Sequence, residues 1–149
     1  MKTLVIYDSQ YGNTEQIAKA IGGAITGEVK VVKVGEANPA ELASYDLLII
    51  GSPTQGGRHT AAMKAFLNSL PADALKNKSV ACFDTRLKTV FVKLFGWAAN
   101  RIADVLRDKE SNLVEPGEGF FVKSTKGPLA DGELERAAAW AKGIAAGKK

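Results

Sequence analysis

Apolar residues fall along this chain in two alternating rhythms. Short runs rich in β-branched residues occupy positions 3–7 (Thr3-Leu4-Val5-Ile6-Tyr7), 29–34, 47–50 and 79–83, and each reads as a strand. Between them, apolar residues recur three and four apart, the spacing of an amphipathic helix. The first helical pattern runs from about Asn13 to Ile21, where Gly22-Gly23 is expected to stop it. Asn38-Pro39 opens a short helix through Leu42. Met63, Phe66, Leu67 and Leu70 mark a third helix ending at Pro71. Val90, Leu94, Ala98, Ile102 and Val105 form one stripe of a long helix after the fourth strand. Leu113-Val114 and Gly119-Phe120-Phe121-Val122 surround a turn at Glu115-Pro116-Gly117 and read as the last strand region. Asp131-Gly132-Glu133 then opens a final helix presenting Leu134, Ala138, Ala141 and Ile144.

This alternation predicts an α/β three-layer sandwich with helices on both faces of a five-stranded parallel sheet. The run Leu47-Leu48-Ile49-Ile50 is apolar throughout, as a central strand covered on both faces requires. Five strands and about five helices fit such a sandwich with right-handed crossovers, and the expected strand order is 2-1-3-4-5, with the switch point between strands one and three. Loops leaving the carboxyl ends of those two strands then face each other across the crevice where ligands bind.

Both loops carry suitable chemistry. Ser9-Gln10-Tyr11-Gly12-Asn13-Thr14 is rich in hydroxyl and amide donors and runs into a helix N-terminus, where free amides and the positive dipole end attract an anion. It holds no lysine, and no G-x-x-x-x-G-K-[ST] occurs in the chain, so a nucleotide-hydrolysing phosphate loop is excluded. The plainer use of such residues is a helix cap and turn. The second loop, Gly51-Ser52-Pro53-Thr54-Gln55-Gly56-Gly57, is a neutral polar shelf whose proline fixes one dihedral and whose glycines permit unusual ones. Asp84-Thr85-Arg86, after strand four, should form a third loop flanking the same crevice.

With these motifs in the right order, the chain resembles the flavodoxin family along its whole length. The run G-S-P-T followed by glycine is similar to the second flavin loop of flavodoxins and related quinone reductases, and residues 127–136 resemble the family's final loop and helix. The resemblance implies non-covalent binding of FMN. Ser9, Gln10, Tyr11, Gly12, Asn13 and Thr14 would hold the phosphate, while Ser52, Pro53, Thr54, Gln55, Gly56 and Gly57, with Asp84, Thr85 and Arg86, would hold the ring. Gln55 stands where an aromatic often stacks in the family. The implied function is an electron carrier shuttling one electron between redox proteins, with no catalytic residues of its own. The alternatives are an FMN-dependent NAD(P)H:quinone oxidoreductase or a flavodoxin-like module that has lost its cofactor. A receiver-type signalling domain is disfavoured, because Gly51-Ser52 stand where its phosphorylatable aspartate would be.

Bulk properties narrow the setting. At 149 residues the chain is expected to form one domain, residues 1–149. Its 46% hydrophobic and 24% charged residues are those of a soluble globular protein. The apolar runs fall short of the roughly 20 residues of a membrane span, and the first strand begins too early for a signal peptide. One cysteine, Cys82, and one histidine, His59, make a disulfide framework or metal cluster unexpected, so a reducing cytoplasm is the expected location. Cys82 reads as a small core residue, Trp97 and Trp140 as packing residues, and His59 as a solvated helix-start residue, its functional reading being a titrating neighbour of the flavin. The net charge of +4 sets the chain apart from a typically acidic family. Its cations are scattered and lack an aromatic platform, which argues against nucleic acid. Arg58, His59, Arg86 and Lys88 are expected to ring the flavin edge, and the redox partners to present acidic docking faces.

Overall fold

The computed structural model describes residues 1–55, 58–71, 73–87, 98–114 and 117–147. Its strands are β1 (Lys2–Tyr7), β2 (Glu28–Lys33), β3 (Leu47–Pro53), β4 (Ser79–Leu87), β5 (Asn112–Leu113) and β6 (Glu118–Val122). Its α-helices are α1 (Asn13–Ala24), α2 (Ala61–Ser69), α3 (Ala98–Asp108) and α4 (Glu133–Gly147), with 3-10 turns at Val34–Glu36 and Pro39–Ser44. The sheet has the order β2-β1-β3-β4-β5, and all its pairings are parallel. β5 and β6 are two pieces of the last strand, pairing β4 near its start and near its end respectively.

The side-chain period of two divides the core cleanly. Leu4, Ile6, Leu48, Ile50, Val80 and Cys82 face α2 and α3, where Met63, Leu67, Ile102 and Leu106 complete one cluster. Val5, Leu47, Ile49, Ala81 and Phe83 face α1 and α4, meeting Ile17, Ile21, Ala141 and Ile144. Phe83, Phe120 and Trp140 meet edge to face there, with ring centroids 5.9–6.2 Å apart. Cys82 is fully buried as expected, and burial, with Asp84 nearby, pushes its thiol up to about 12.

Four expectations are corrected. Helix α1 runs through Gly22-Gly23 to Ala24, because Gly22 is a contact and not a stop: a Cβ there would lie 2.5 Å from Val31 Cγ2. Losing roughly 1 kcal/mol of helix propensity at a glycine is offset by letting the helix settle onto β2. In α3 the buried stripe is Ala98, Ala99, Ile102, Ala103 and Leu106, with Val105 half-buried beside it. Val90 and Leu94 lie outside the described residues, as does Trp97. In α4 the inward residues are Ala137, Ala141 and Ile144, while Leu134 is exposed. Finally, Asp84-Thr85-Arg86 is strand and not loop, paired with Ser52 and Pro53 on one side and with β6 on the other.

Candidate functional site

The polypeptide leaves β1 and β3 at the same carboxyl edge, and the two loops are tied together. The Asp8 amide donates to the Gly51 carbonyl at 3.0 Å. The Thr60 hydroxyl donates to Asp8 Oδ2 at 2.5 Å while accepting the Met63 amide at 3.2 Å as the N-cap of α2. The Ser9 amide donates to the other Asp8 oxygen at 2.9 Å, and the Gln55 amide group donates to Gln10 Oε1. Asp8 and Thr60 thus fix the gap between the loops. Neither was singled out from sequence, although Thr60 before an apolar helical pattern carries the ordinary N-cap signal.

The first loop curls back on itself. Ser9 Oγ accepts the Gly12 amide at 3.1 Å and the Glu15 amide at 3.3 Å. Gly12 is the N-cap of α1 at φ 91°, a left-handed conformation that glycine adopts without steric cost, and it provides no side-chain cap. The plain helix-cap reading therefore does not hold for Asn13 and Thr14: both lie inside the helix, buried, at its first two positions. Gly127 of the last loop packs against Asn13, since a Cβ there would lie 2.5 Å from Asn13 Oδ1. The donor set is neutral hydroxyls, amides and a helix N-terminus, which is chemistry suited to a phosphate dianion. Gln10 and Tyr11 are exposed on the outer turn.

The second loop divides its roles. Ser52 is fully buried, its hydroxyl donating to the Pro53 carbonyl and accepting the Thr60 amide, each at 3.0 Å. Pro53 and Thr54 are half-buried, and Gln55 is exposed and bridged antiparallel to Arg58. Gly56 and Gly57 lie outside the described residues.

Residues 84–86 split between the two faces of the sheet. Thr85 points toward α1, where its Oγ1 lies 2.7 Å from Thr14 Oγ1, with both residues at most 4% exposed. A pair separated by 71 positions in the chain thereby joins the end of β4 to the phosphate-type loop. Asp84 and Arg86 turn the other way, in a fork at 2.7 Å for both Nε–Oδ1 and Nη2–Oδ2. Asp84 is fully buried and also accepts the Ala99 amide at 2.9 Å and a bond from Thr54. Burial pushes its carboxyl up, and these partners act against that rise. Thr54 in turn accepts the Ala98 amide at 3.1 Å, so Thr54 and Asp84 together hold the start of α3 against β3. The expectation of Arg86 as a free rim cation is corrected, because its side chain is only 12% exposed and is spent on Asp84. His59 is corrected likewise. Both ring nitrogens are shut off from solvent without a hydrogen-bond partner, and burial, reinforced by Lys64, Arg101 and Arg58, lowers its pKa. Lys88 lies outside the described residues.

Known proteins share both the sequence pattern and the fold. Residues 4–91 match the family model of the flavodoxin domain. An NAD(P)H dehydrogenase (quinone) of Brucella anthropi is 40% identical over 91 residues, covering 46% of this chain and 46% of that protein. Flavodoxin 1 of Escherichia coli K12 is 29% identical over 133 residues, covering 87% of this chain and 75% of its own. The chain thus spans less than half the length of the quinone dehydrogenase it matches. A flavodoxin from the domain Archaea superposes with a TM-score of 0.83 at 24% identity, covering 98% of this chain and 97% of that one. Oxidised Flavodoxin 2 from Bacillus cereus gives 0.81 at 25% identity, covering 98% and 99%. Among the described residues, no helix is long and apolar enough to cross a membrane. With the domain match running over more than half its length, on this strand order, the chain belongs to the flavodoxin family.

Proposed function

We propose that this chain, acting as one domain over residues 1–149, binds FMN non-covalently and carries single electrons between redox proteins. Family membership implies a flavin ligand. The observation that carries the choice of FMN is the first loop: a helix N-terminus capped by a left-handed glycine, with Ser9 and Thr14 beside it and no cation within it. Neutral donors of this kind suit the phosphate that distinguishes FMN from riboflavin. Ser9, Gln10, Tyr11, Gly12, Asn13 and Thr14 would hold that phosphate. When Thr85 donates to Thr14, the Thr14 hydrogen is left for an anion. Ser52 to Gly57 would hold the ring edge, with Thr85 bracing the first loop and Asp84–Arg86 setting where α3 begins. When bound, the isoalloxazine supplies the redox chemistry. The protein's part is to grip the phosphate and fix the two loops through Asp8 and Thr60.

The test is direct. Protein purified from cells should carry a yellow chromophore that acid releases and that chromatography identifies as FMN. Anaerobic reductive titration should then resolve two one-electron steps. A colourless protein with no affinity for added FMN would defeat the reading and favour a module without cofactor. The quinone dehydrogenase relative of Brucella anthropi supports a second reading, an NAD(P)H:quinone oxidoreductase. Steady NAD(P)H oxidation by the purified holoprotein with a quinone, and a single two-electron step, would favour that enzyme.

A further inference from the structure

Among the described residues, two of four α-helices carry no acid within their own first turn. α1 has Glu15 in its first turn and α4 has Glu133 and Glu135, the usual complement to a positive helix end. The first turns of α2 and α3 contain no acid. Each instead has a cation at its fourth residue: Lys64 in α2, whose amide donates to the Thr60 carbonyl, and Arg101 in α3. The two helices lie on the same face of the sheet, because Met63, Phe66 and Leu67 share one core cluster with Ile102, Ala103 and Leu106. Both follow parallel strands, so both open at the edge that carries the candidate site. Arg58 joins them on the turn leaving β3, bonded backbone to backbone with Gln55.

All three side chains belong to exposed residues, and none forms an ion pair among the described residues. Asp104, one turn further along α3, is taken by Arg107 at 3.2 Å. Arg86, on the same side of the sheet, is neutralised by Asp84. His59 lies within the field of all three, and burial first, then these cations, lowers its pKa. Among the described residues, the face beside the second loop therefore holds three exposed cations without an ion-pair partner, on the first turns of α2 and α3 and on the turn leaving β3. Thr60 and Asp84 occupy the helix ends themselves.

We propose that Arg58, Lys64 and Arg101 form the docking face for a redox protein that presents a cluster of carboxylates. This deepens the electron-carrier reading and rests on it. Charge complementarity selects the occupant: such a field steers an acidic surface toward the second loop and raises its encounter rate. Nucleic acid is the less suitable polyanion, because the three cations stand on separate elements and, among the described residues, have no aromatic side chain between them for bases to stack on.

The test uses the FMN-loaded protein with acidic cytochrome b5 as probe and basic cytochrome c as control. Binding is read from backbone NMR shifts at low ionic strength and again at physiological salt. We expect cytochrome b5 to perturb residues around Arg58, Lys64 and Arg101, and to weaken steeply with salt as the Debye length shrinks to about 8 Å. Lys64→Glu with Arg101→Glu, two exposed helix positions, should weaken it by about tenfold or more, while FMN absorbance and far-UV circular dichroism stay unchanged. A mild variant, Lys64→Gln with Arg101→Gln, should fall between. Binding also raises the apparent pKa of His59, because carboxylates then offset the cations it feels. Shifts mapping to another face, unchanged affinity in the reversed variant, or tighter binding of cytochrome c would overturn the proposal. Tighter binding of a DNA duplex at matched salt would do the same. FMN content is measured in the same sample. Loss of FMN binding defeats the carrier reading, whereas FMN binding without docking of cytochrome b5 defeats the docking face alone.

Discussion

Replacing Thr14 by Val removes one hydroxyl and almost nothing else, because the two side chains have nearly the same shape. Two separate effects follow from the contact with Thr85. In the protein without ligand, the Thr85 hydroxyl is left buried and unpartnered at 4% exposure. That costs about 1–3 kcal/mol of stability, visible as a lower urea midpoint with an unchanged slope. In the complex, a hydrogen bond to a charged phosphate is lost, worth about 1.5–3 kcal/mol. FMN affinity should then fall by roughly tenfold to a hundredfold. Riboflavin, which has no phosphate, should bind as it does to the parent protein. Both ligands can be followed by quenching of flavin fluorescence in one titration series. Thr85→Val tests the relay from the other side, because Thr14 keeps its hydroxyl and FMN affinity should drop less. Combining both valines should restore part of the stability of the unliganded fold, since no buried hydroxyl is then orphaned. Equal losses for FMN and riboflavin, or an unchanged FMN affinity, would refute the assignment of Thr14 to a phosphate site.

The Asp84–Arg86 pair makes a prediction about stability. Arg86→Met strands a fully buried carboxylate and should cost about 3–5 kcal/mol in denaturant unfolding, whereas Asp84→Leu with Arg86→Met should recover much of that loss. His59 makes a prediction about pH. Its folded pKa is lowered, so on acidification the unfolded chain takes up a proton before the folded one does. Stability should be fully present above the unfolded pKa, about 6.5, and fall as pH drops through that value toward the lower folded one. His59→Gln should flatten the slope in unfolding measurements between about pH 7.5 and 5, a window that spans the unfolded value. As the single histidine, its ring resonances also report the folded pKa directly.

The sequence by itself determined the alternation of strands and helices, because this follows from local periodicity. The doubly wound parallel sheet with the order 2-1-3-4-5 is the arrangement expected of that alternation. Apolar residues every second position make strands, those three or four apart make helices, and the handedness of crossovers leaves few ways to connect them. It also placed the two site loops, since a polar segment between a strand and a helix of such a sheet has only the carboxyl edge to occupy. Tertiary structure decided what depends on distant partners. Gly22 reads locally as a helix stop, yet Val31 on the neighbouring strand makes it a contact point. Asp84-Thr85-Arg86 reads as a polar loop, but pairing with β3 and β6 extends the strand through it. That extension sends Thr85 to Thr14 on one face and Asp84 to Ala99 on the other. Arg86 and His59 looked like surface charges. One is neutralised by a carboxylate two residues away on the same side of the strand, and the other is desolvated among cations from three separate elements. Periodicity shows which side of an element is buried, but not what it meets, and the character of a polar residue depends on what it meets.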